Sequence, residues 1–348
     1  MALDVFSARR VFSKDKESAY GTAETLGGTE FLVHFGDAPT MAVPDTIIDD
    51  GELYTGYNYL TEIDIERFKV ELTHKRKLLP NEAALFFALL LGSVSTTNPT
   101  AGVYQHVIEF EDVIDLKSIT MWEETADRGQ KLFAGIACIA IDLMFPKGKF
   151  AEASYQLRGD GSEASGGSLA AKTLINETRY LKYNDLDFKL GGTYSEATGV
   201  GSISGGTSKK SLLADIKLAM KNKGEPDYAY GEADGYVSSW RKGGLKARDL
   251  AQIGVMLEPD DATDSNKVAA ETKECAELAL VGPQIGETGY YYTIRALFPV
   301  VQPFEASRSR NKQIATCDLA WTALKDTSVN GWPLCQIQVI NGQASYLG

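Results

Sequence analysis

The chain has 348 residues, of which 44% are hydrophobic and 24% are charged, and its formal net charge is −12. This composition is that of a globular chain that can bury a sizeable core in one large or two ordinary domains. The negative charge opposes non-specific adhesion to nucleic acid or to an anionic membrane, but it does not oppose nucleic acid moving past the protein.

The first residues contain no apolar stretch of signal-peptide length, and the longest apolar run, Leu132–Ile141, is far shorter than the ~18 residues that indicate a membrane span. We therefore expect a protein made in a cytoplasm, with no membrane partner. The four cysteines form no CxxC pair, which favours reduced thiols in the core or in strands over a zinc site or a disulfide framework. They are Cys138, Cys275, Cys317 and Cys335.

The first 160 residues predict an arm followed by a β domain with one helix. Residues 1–55 are rich in Gly, Thr, Asp and Pro and predict an extended arm with loops. A strand is predicted over Thr61–Lys75, and a helix over Pro80–Leu91, with Pro80 in its first turn and Gly92 at its C-terminal end. Further strands are predicted at Val103–Glu111 and Ser118–Glu123.

The segment Lys131–Arg158 predicts a long β-hairpin that turns at Pro146–Lys149. Its first arm is apolar on both faces, and its second arm alternates between apolar and polar residues. Period-two alternation after a Pro/Gly turn is typical of strands. A strand that is apolar on both faces must be covered on both sides, so this hairpin suits a sheet packed inside an assembly.

The second half repeats the order of strand, helix and antiparallel strands. Small polar residues over 161–178 predict a linker, and the Gly-rich stretch Gly191–Lys210 predicts a long flexible loop. A short helix is predicted over Ser265–Cys275. The predicted strands are Arg179–Leu190, Leu212–Met220, Leu245–Leu257, Ala276–Val281, Tyr290–Phe298, Gln313–Leu324 and Cys335–Ile340. We therefore expect an arm at 1–55, one β domain at 56–160 and a second at 179–348 that contains the loop 191–210.

Catalytic and cofactor signatures are missing from the sequence. His34, His74 and His106 have no metal-ligand spacing. The stretch Gly201–Ser211 lacks the Lys that a phosphate-binding loop needs directly after its second glycine, and Ile203 occupies the centre that a nucleophile elbow reserves for Ser. We predict no enzyme activity, no metal and no cofactor; a hydrolase that uses carboxylates ranks last among the functions considered.

Two groups of carboxylates alternate with apolar residues along predicted strands, so each group projects from one strand face. They are Glu62, Asp64 and Glu66, and Asp185 and Asp187. Such a face is open to interpretation as a metal or acid–base site, as a solvated surface, or as the acidic wall of a channel. Like charges on one face destabilise a strand unless they are hydrated, which favours the solvated face, with a channel wall as its specific form.

Two basic clusters stand out in the acidic chain: Lys75, Arg76 and Lys77, and Arg308, Arg310 and Lys312. A nucleic-acid site would need a basic domain with interleaved aromatic residues, and neither is seen. We predict that these clusters form contacts between subunits across complementary patches.

The chain resembles the tail tube proteins, or major tail proteins, of long-tailed bacteriophages, in their larger two-domain form. The resemblance rests on pattern and order over residues 19–325. It is carried by AYGTAETLGGTEF, the helix end ALLLGS, VYQHVIEFE, SITMWEE and FAGIACIAIDLMFPKGKF in the first half, and by SLLADIKLAMKNK, LKARDLAQIGVML and YYYTIRALFPVVQP in the second.

The resemblance implies a mainly β, sandwich- or barrel-like tube fold in two tandem similar domains, each with a short flanking helix. It implies a virion protein, made in the host cytoplasm, that self-assembles into stacked rings through which the genome passes. The rings would be homotrimers with pseudo-sixfold symmetry, or alternatively homohexamers. The implied partners are the tape-measure protein, the tail terminator, baseplate or tip proteins, and DNA in transient passage; the carboxylates named above would line the lumen.

An alternative function is a β-rich surface-binding module, such as an adhesin or a carbohydrate-binding domain. Such a module would expose aromatic residues on one loop face, and the candidates are Tyr54, Tyr57, Tyr59 and Trp240. A monodisperse monomer that binds glycans would favour this alternative over the tube protein.

Overall fold

Antiparallel β-strands make up most of the protein, which confirms the predicted mainly β fold class. The computed structural model describes residues 8–27, 30–35, 43–49, 63–111, 116–125, 129–160, 164–165, 179–222, 225–227, 239–241, 251–258, 263–286, 288–311, 314–326 and 331–348. The helices in these ranges are α1 (Pro80–Leu91) and α2 (Thr263–Ala269).

The strands of the first half are β1 (Ala8–Phe12), β2 (Phe31–Phe35), β3 (Val43–Asp49), β4 (Ile63–Lys77), β5 (Gly92–Thr100), β6 (Val103–Phe110), β7 (Ile119–Thr125), β8 (Gly129–Met144), β9 (Glu152–Gly159) and β10 (Ala164–Ser165). Those of the second half are β11 (Leu186–Leu190), β12 (Thr193–Ala197), β13 (Val200–Ser204), β14 (Thr207–Ser208), β15 (Leu213–Lys221), β16 (Glu225–Asp227), β17 (Ser239–Arg241), β18 (Ala251–Leu257), β19 (Glu274–Gln284), β20 (Tyr291–Asn311), β21 (Ile314–Ala323) and β22 (Gln336–Asn341).

Helix α1 occupies the predicted residues and is buried along almost its whole length. Pro80 begins it without a side-chain cap, and Gly92 ends it at φ 101°, a left-handed conformation that glycine adopts without steric cost. The helix is apolar on all sides, as expected of a helix enclosed by protein, and it packs against β5, β6, β8, β20 and β22.

The predicted hairpin over Lys131–Arg158 is confirmed as β8 and β9. The two strands pair antiparallel from Met144↔Glu152 to Ala137↔Arg158, with a bulge between Cys138 and Ala140. The backbone N–H of Lys149 donates to the Pro146 carbonyl and closes the turn at the predicted position. The core side of this hairpin is fully buried, including Ile141, Leu143 and Tyr155.

One continuous sheet, here called the central sheet, joins the two halves in the order β4-β9-β8-β15-β18-β21-β20. Successive side chains along a strand point to opposite faces, so one face of this sheet is buried and the other is turned away from the core. One cross-strand row, which ends at Trp321, is buried in the core. The neighbouring row runs across Lys77, Met144, Lys217 and Gly254 and faces away from it.

A second sheet has the order β14-β11-β19-β20-β22-β6-β5, and a third, N-terminal sheet has the order β2-β1-β7-β8. The long strands β8 and β20 each pass from one sheet into another. Their early residues pair with β7 and β19, and their later residues pair with β9 and β21. Helix α1 lies beside strands of both the central and the second sheet, where the main hydrophobic core is formed.

The strand pairings of the first half recur in the second half in the same chain order. Seven antiparallel ladders are involved: β1–β2, β1–β7, β3–β4, β4–β9, β7–β8, β8–β9 and β8–β10. Their counterparts are β11–β14, β11–β19, β15–β18, β18–β21, β19–β20, β20–β21 and β20–β22. In chain order, α1 lies between β4 and β7, and α2 lies between their counterparts β18 and β19. Each helix contacts the long strand of its own half, β8 for α1 and β20 for α2.

The N-terminal segment, which we expected to be arm and loops, contributes strands to two sheets. Strand β1 pairs with β2 and β7, and β3 pairs with the first part of β4. Val11 and Phe12 are fully buried, and the Glu17 carboxylate is buried beside β7 and β8. This part of the chain is therefore anchored to the first half rather than hanging free of it.

The Gly-rich stretch Gly191–Lys210, predicted to be a flexible loop, is instead largely a docked hairpin of β12 and β13. The strands pair from Thr193↔Ser204 to Ala197↔Val200. The side chain of Gln336 accepts the Gly201 N–H at 2.7 Å, and Gln338 donates to the Gly201 carbonyl at 2.7 Å. The glutamines come from β22, more than a hundred residues away, so local composition gave no sign of them.

Several element boundaries also differ from prediction; the strand expected over Tyr290–Phe298, for example, continues to Asn311. The helix expected over Ser265–Cys275 spans Thr263–Ala269, and Cys275 lies in β19. The strand expected from Arg179 begins at Leu186, because Tyr183–Asp185 form a 3₁₀ turn. That turn is capped by the Asp185 carboxylate, which accepts the Lys182 N–H at 2.9 Å.

The C-terminal segment folds back over β6 and is held there by His106. The Nε2 atom of His106 lies 2.9 Å from the Gln343 carbonyl and 3.1 Å from Asn341 Oδ1, and Nδ1 lies 2.8 Å from Thr96 Oγ1. These partners fit a neutral ring that donates from Nε2 and accepts at Nδ1. The Tyr346 ring packs edge-on against the imidazole, 4.7 Å away.

Acidification should destabilise this contact. Burial disfavours the charged imidazolium and lowers the pKa of His106, although hydrogen bonds to Asn341 and Gln343 oppose the shift. The unfolded chain, with a His pKa near 6.5, then binds a proton that the folded protein does not, so stability is lost as pH falls below that value. We expect His106 to contribute at most about 2 kcal/mol of destabilisation between pH 7 and pH 5.

The check is chemical denaturation of the wild type and of His106→Gln at both pH values. The variant should show a smaller loss of unfolding free energy on acidification than the wild type. His74, whose pKa is also lowered by burial, remains in both proteins and cancels in the comparison. An equal loss in the two proteins would contradict the assignment.

Candidate assembly surfaces

The ladder between β8 and β15 joins the two halves of the chain edge to edge. Residues Ala140–Met144 of β8 pair antiparallel with Lys217–Lys221 of β15. On the other side of β8 lies β9, and on the other side of β15 lies β18. This junction turns the strands of the two halves into one sheet.

The two ends of the central sheet are open in the described part of the chain. At one end, Pro303–Asn311 of β20 pair with β21 on one side only. At the other end, Val70–Lys77 of β4 pair with β9 on one side only, and β3 pairs with the earlier residues of β4. Unpaired strand edges expose backbone N–H and C=O groups and readily take up a further strand.

The counterpart of the β20 edge within the chain is the β8 edge. Both are the later parts of long strands that follow the half's helix, and both form a hairpin with the next strand, β9 or β21. The β8 edge is covered by β15, whereas residues 305–309 of β20 are exposed. Among the described strands, this type of junction is therefore filled at β8 and is not filled at β20.

The outward face of the central sheet is polar and carries charges of both signs. The described acidic residues there include Asp142, Glu152, Asp215, Glu305 and Asp318, and the basic residues include Lys75, Lys77 and Lys217. Lys217 pairs with Asp142 across β8 and β15 at 3.4 Å. Near Gly254, which has no side chain, this face forms a shallow hollow of about 230 Å³.

In the predicted basic cluster at the end of β4, one side chain faces the core and two face the surface. Arg76 points to the core side and pairs with the buried Glu82 carboxylate at 2.6 Å, while His74 contacts the other oxygen of Glu82 at 2.9 Å. Lys75 and Lys77 are exposed. Arg76 thus fastens the start of α1 to β4, and the two lysines remain available at the surface.

The exposed lysines of β4 belong to a larger basic groove that the sequence did not reveal. The Lys77 ammonium lies 4.3 Å from the centre of the Phe150 ring, and the Lys182 ammonium lies 5.6 Å from it. Lys149 and Lys182 line a neighbouring hollow of about 250 Å³. The bridge Phe150↔Lys182 brings these residues together from distant parts of the chain. The sequence signals for the groove were the basic run at Lys75–Lys77 and the Lys-rich turn PKGK.

The structure does not bring the predicted acidic residues together. Asp64 and Glu66 lie in the first part of β4, whereas Asp187 lies on β11 in the second sheet and Asp185 in the 3₁₀ turn before it. Asp187 accepts a hydrogen bond from the Ser208 hydroxyl and lies 3.8 Å from Lys189. Glu62 falls outside the described residues. Their assignment to a lumen stays a prediction.

The second predicted basic cluster lies on the open edge strand β20. Arg308 is exposed and donates to the Ser265 hydroxyl at the start of α2. Arg310 belongs to the same strand, and Lys312 falls outside the described residues. Of the aromatic candidates for glycan binding, Tyr54, Tyr57 and Tyr59 lie outside the described residues, and Trp240 lies in β17.

Reactive groups in the described residues are buried and dispersed. All four cysteines are buried, as predicted, with three in strands and Cys335 directly before β22. Burial raises the pKa of Cys335 to about 12, so its thiol stays protonated at neutral pH. Within the described ranges no three His, Cys, Asp or Glu side chains cluster as a metal site. The described helices also include none that is long and apolar enough to cross a membrane.

The features that stand out among the described residues are sheet edges and charged surfaces. No family model matches the chain, and no curated protein matches it significantly.

Proposed function

We propose that the chain is a structural protein that self-assembles into closed rings, stacked as a bacteriophage tail tube. The observation that carries the proposal is the recurrence of the strand ladders in the two halves, together with the unmatched junction. Within the chain, β8 of the first half pairs with β15 of the second. The counterpart of β8 is β20, and the counterpart of β15 is β3. The missing ladder is thus one between β20 of one copy and the β3–β4 edge of the next.

This contact would be head to tail, since the two edges are different surfaces of the same chain. A heterologous contact repeated with a fixed rotation either closes a ring or grows an open helix. If the two halves are tandem similar domains, the contact inside the chain and the contact between chains have similar geometry. Three copies then place six similar units around one axis, which is the trimer implied by the family resemblance. Closing the sheet in this way also removes the exposed edges that favour aggregation.

The polar face of the central sheet would line the lumen of such a ring. A lumen lined mainly by polar and charged residues, with Met144 exposed among them, in a protein of net charge −12, would let DNA pass without binding it tightly. The tape-measure protein would occupy the same space before the genome passes. The proposal assigns no enzyme activity and no cofactor to the chain.

A pair of adjacent proline substitutions on the open edge tests the proposal. In an antiparallel ladder, the N–H groups of neighbouring residues point to opposite sides. One of the two variants Ala306→Pro and Ser307→Pro therefore loses an N–H that bonds to β21, and that variant should have a lower melting temperature. The other variant loses an N–H on the open edge of β20, and that variant should fold normally but fail to form rings. Each variant serves as the control for the other.

Thermal melting identifies the properly folded variant, and sedimentation velocity with negative-stain microscopy then reports its assembly. Rings formed by that variant as readily as by the wild type would contradict a contact through this edge. A wild type that stays monomeric over a wide concentration range, and that binds glycans, would instead support the surface-binding module.

A further inference from the structure

We propose that the basic groove at the end of β4 binds the acidic start of the β3–β4 ribbon of a second copy of this chain, in the next ring of the stack. The groove is defined by Lys75, Lys77, Lys149 and Lys182 around Phe150. The ribbon is defined by β3 and the first residues of β4. The stacking direction rests on the proposed function, whereas the contact itself does not.

The groove is an unneutralised positive site on an acidic protein. Its four lysines are exposed, and among the described residues none of them has a carboxylate within salt-bridge distance. Glu152 is the one carboxylate in the described lining of the two hollows. Phe150 and Tyr180 hold the Lys77 ammonium in place, at 4.3 and 5.4 Å from their ring centres. A clustered cationic surface of this kind fits an anionic partner.

The ribbon supplies the matching charge. Asp45 and Asp49 lie in β3, and Asp64 and Glu66 lie in the first residues of β4, against two basic residues of the same ladder, Arg67 and Lys69. Between residues 43 and 66 the sequence contains no Lys or Arg. The ladder between β3 and β4 gathers these acidic positions into one two-stranded element.

The two surfaces cannot meet within one copy, because they lie at opposite ends of the same strand. Strand β4 runs unbroken from Ile63 to Lys77. At about 3.3 Å per residue, Glu66 and Lys75 are roughly 30 Å apart along it. A contact between different surfaces of identical chains is heterologous, so along a strand direction it adds copies end to end. The proposal assigns Asp64 and Glu66 to this contact rather than to the wall of the lumen.

Charge reversal tests the contact. The groove variant is Lys77→Glu with Lys182→Glu, and the ribbon variant is Asp64→Lys with Glu66→Lys. Each alone should raise the concentration needed for half-maximal stacking by roughly tenfold or more, since attraction becomes repulsion. Both changes in one chain should restore stacking. The control Lys16→Glu with Lys273→Glu has the same net charge as the groove variant and changes exposed lysines away from the groove, so it should stack normally.

Mixing the groove variant with the ribbon variant separates this inference from the proposed function. The groove variant keeps an intact ribbon, the ribbon variant keeps an intact groove, and the reversed groove of one attracts the reversed ribbon of the other. The mixture should therefore recover the stacking that each variant alone has lost, with the two variants alternating. The alternating stack should be seen by sedimentation velocity whether the units are rings or single chains. If the units are single chains, the ring proposal fails and the contact stands.

If the mixture recovers no stacking, or if the groove variant alone stacks like the wild type, the inference is wrong. Loss of binding to a labelled DNA duplex by the groove variant, with stacking unchanged, would likewise overturn it, because the occupant would then be nucleic acid.

Discussion

Replacing Glu17 with alanine should lower the free energy of unfolding by roughly 3–5 kcal/mol, because several buried donors lose their acceptor at once. The carboxylate accepts hydrogen bonds from the hydroxyls of Ser118 at 2.7 Å and Thr120 at 2.9 Å. It also accepts the backbone N–H groups of Gly21 at 3.0 Å and Gly135 at 2.9 Å. These bonds tie the N-terminal segment to the third sheet, and with alanine at position 17 the mostly buried donors lose their acceptor.

Denaturant unfolding of the variant, compared with the wild type and with Glu152→Ala, measures the effect. Glu152 is an exposed carboxylate on β9, and its replacement should change stability by less than ~0.5 kcal/mol. Limited proteolysis should also cut the Glu17 variant first in its N-terminal segment, since that segment has lost its anchor. Equal stability of the two variants would contradict the anchoring role of Glu17.

Replacing Arg10 with methionine should cost a similar amount, roughly 3–5 kcal/mol, because it leaves the Glu123 carboxylate buried without its partner. The two residues face each other across β1 and β7. They are 2% and 3% exposed, and Arg10 Nη2 lies 2.8 Å from Glu123 Oε2. Burial lowers the pKa of Arg10 despite this pairing, which indicates how strongly the site disfavours an isolated charge.

A double-mutant cycle distinguishes loss of the pair from loss of packing. Arg10→Met and Glu123→Leu should each destabilise the protein, and the double variant should recover most of the loss, because neither charge of this pair is then left buried without the other. Denaturant unfolding of all four proteins gives the coupling free energy. A double variant as unstable as the sum of the single variants would show that the ion pair is not coupled as the geometry requires.

The elements that local sequence predicted well are those whose signals are themselves local. The apolar run of α1 lies between Pro80 and Gly92, and the hairpin of β8 and β9 combines alternation with a turn at Pro146. In each case the residues that end the element also fix its backbone conformation. The tertiary contacts agree with these preferences, so the boundaries hold.

The elements that sequence missed depend on distant partners. The hairpin of β12 and β13 reads as a loop because Gly and Ser dominate it, and it is fixed by Gln336 and Gln338 of β22. Strand β1 looked like part of an arm, yet it fits between β2 and β7 through the buried Arg10. Such long-range hydrogen bonds leave no periodic signal in the segment that receives them.

The candidate surfaces were predictable in part. The basic run at Lys75–Lys77 was visible in the sequence, but the alternation of a strand sends Arg76 inward to Glu82 and its neighbours outward. Lys182 and Phe150 join the same groove through a bridge that no spacing rule predicts. The open edges of the sheet could not be foreseen either, because they follow from the order of pairing and not from residue type.

The central claim is that copies of the chain close into a ring through the ends of the central sheet. Mass photometry of the purified protein, with negative-stain class averages of the same sample, tests it most directly. We predict a species of three times the 37.8 kDa chain mass, seen end-on as a ring with a hollow centre and apparent sixfold symmetry. A single species at the mass of one chain, with no rings at any concentration tested, would contradict the account.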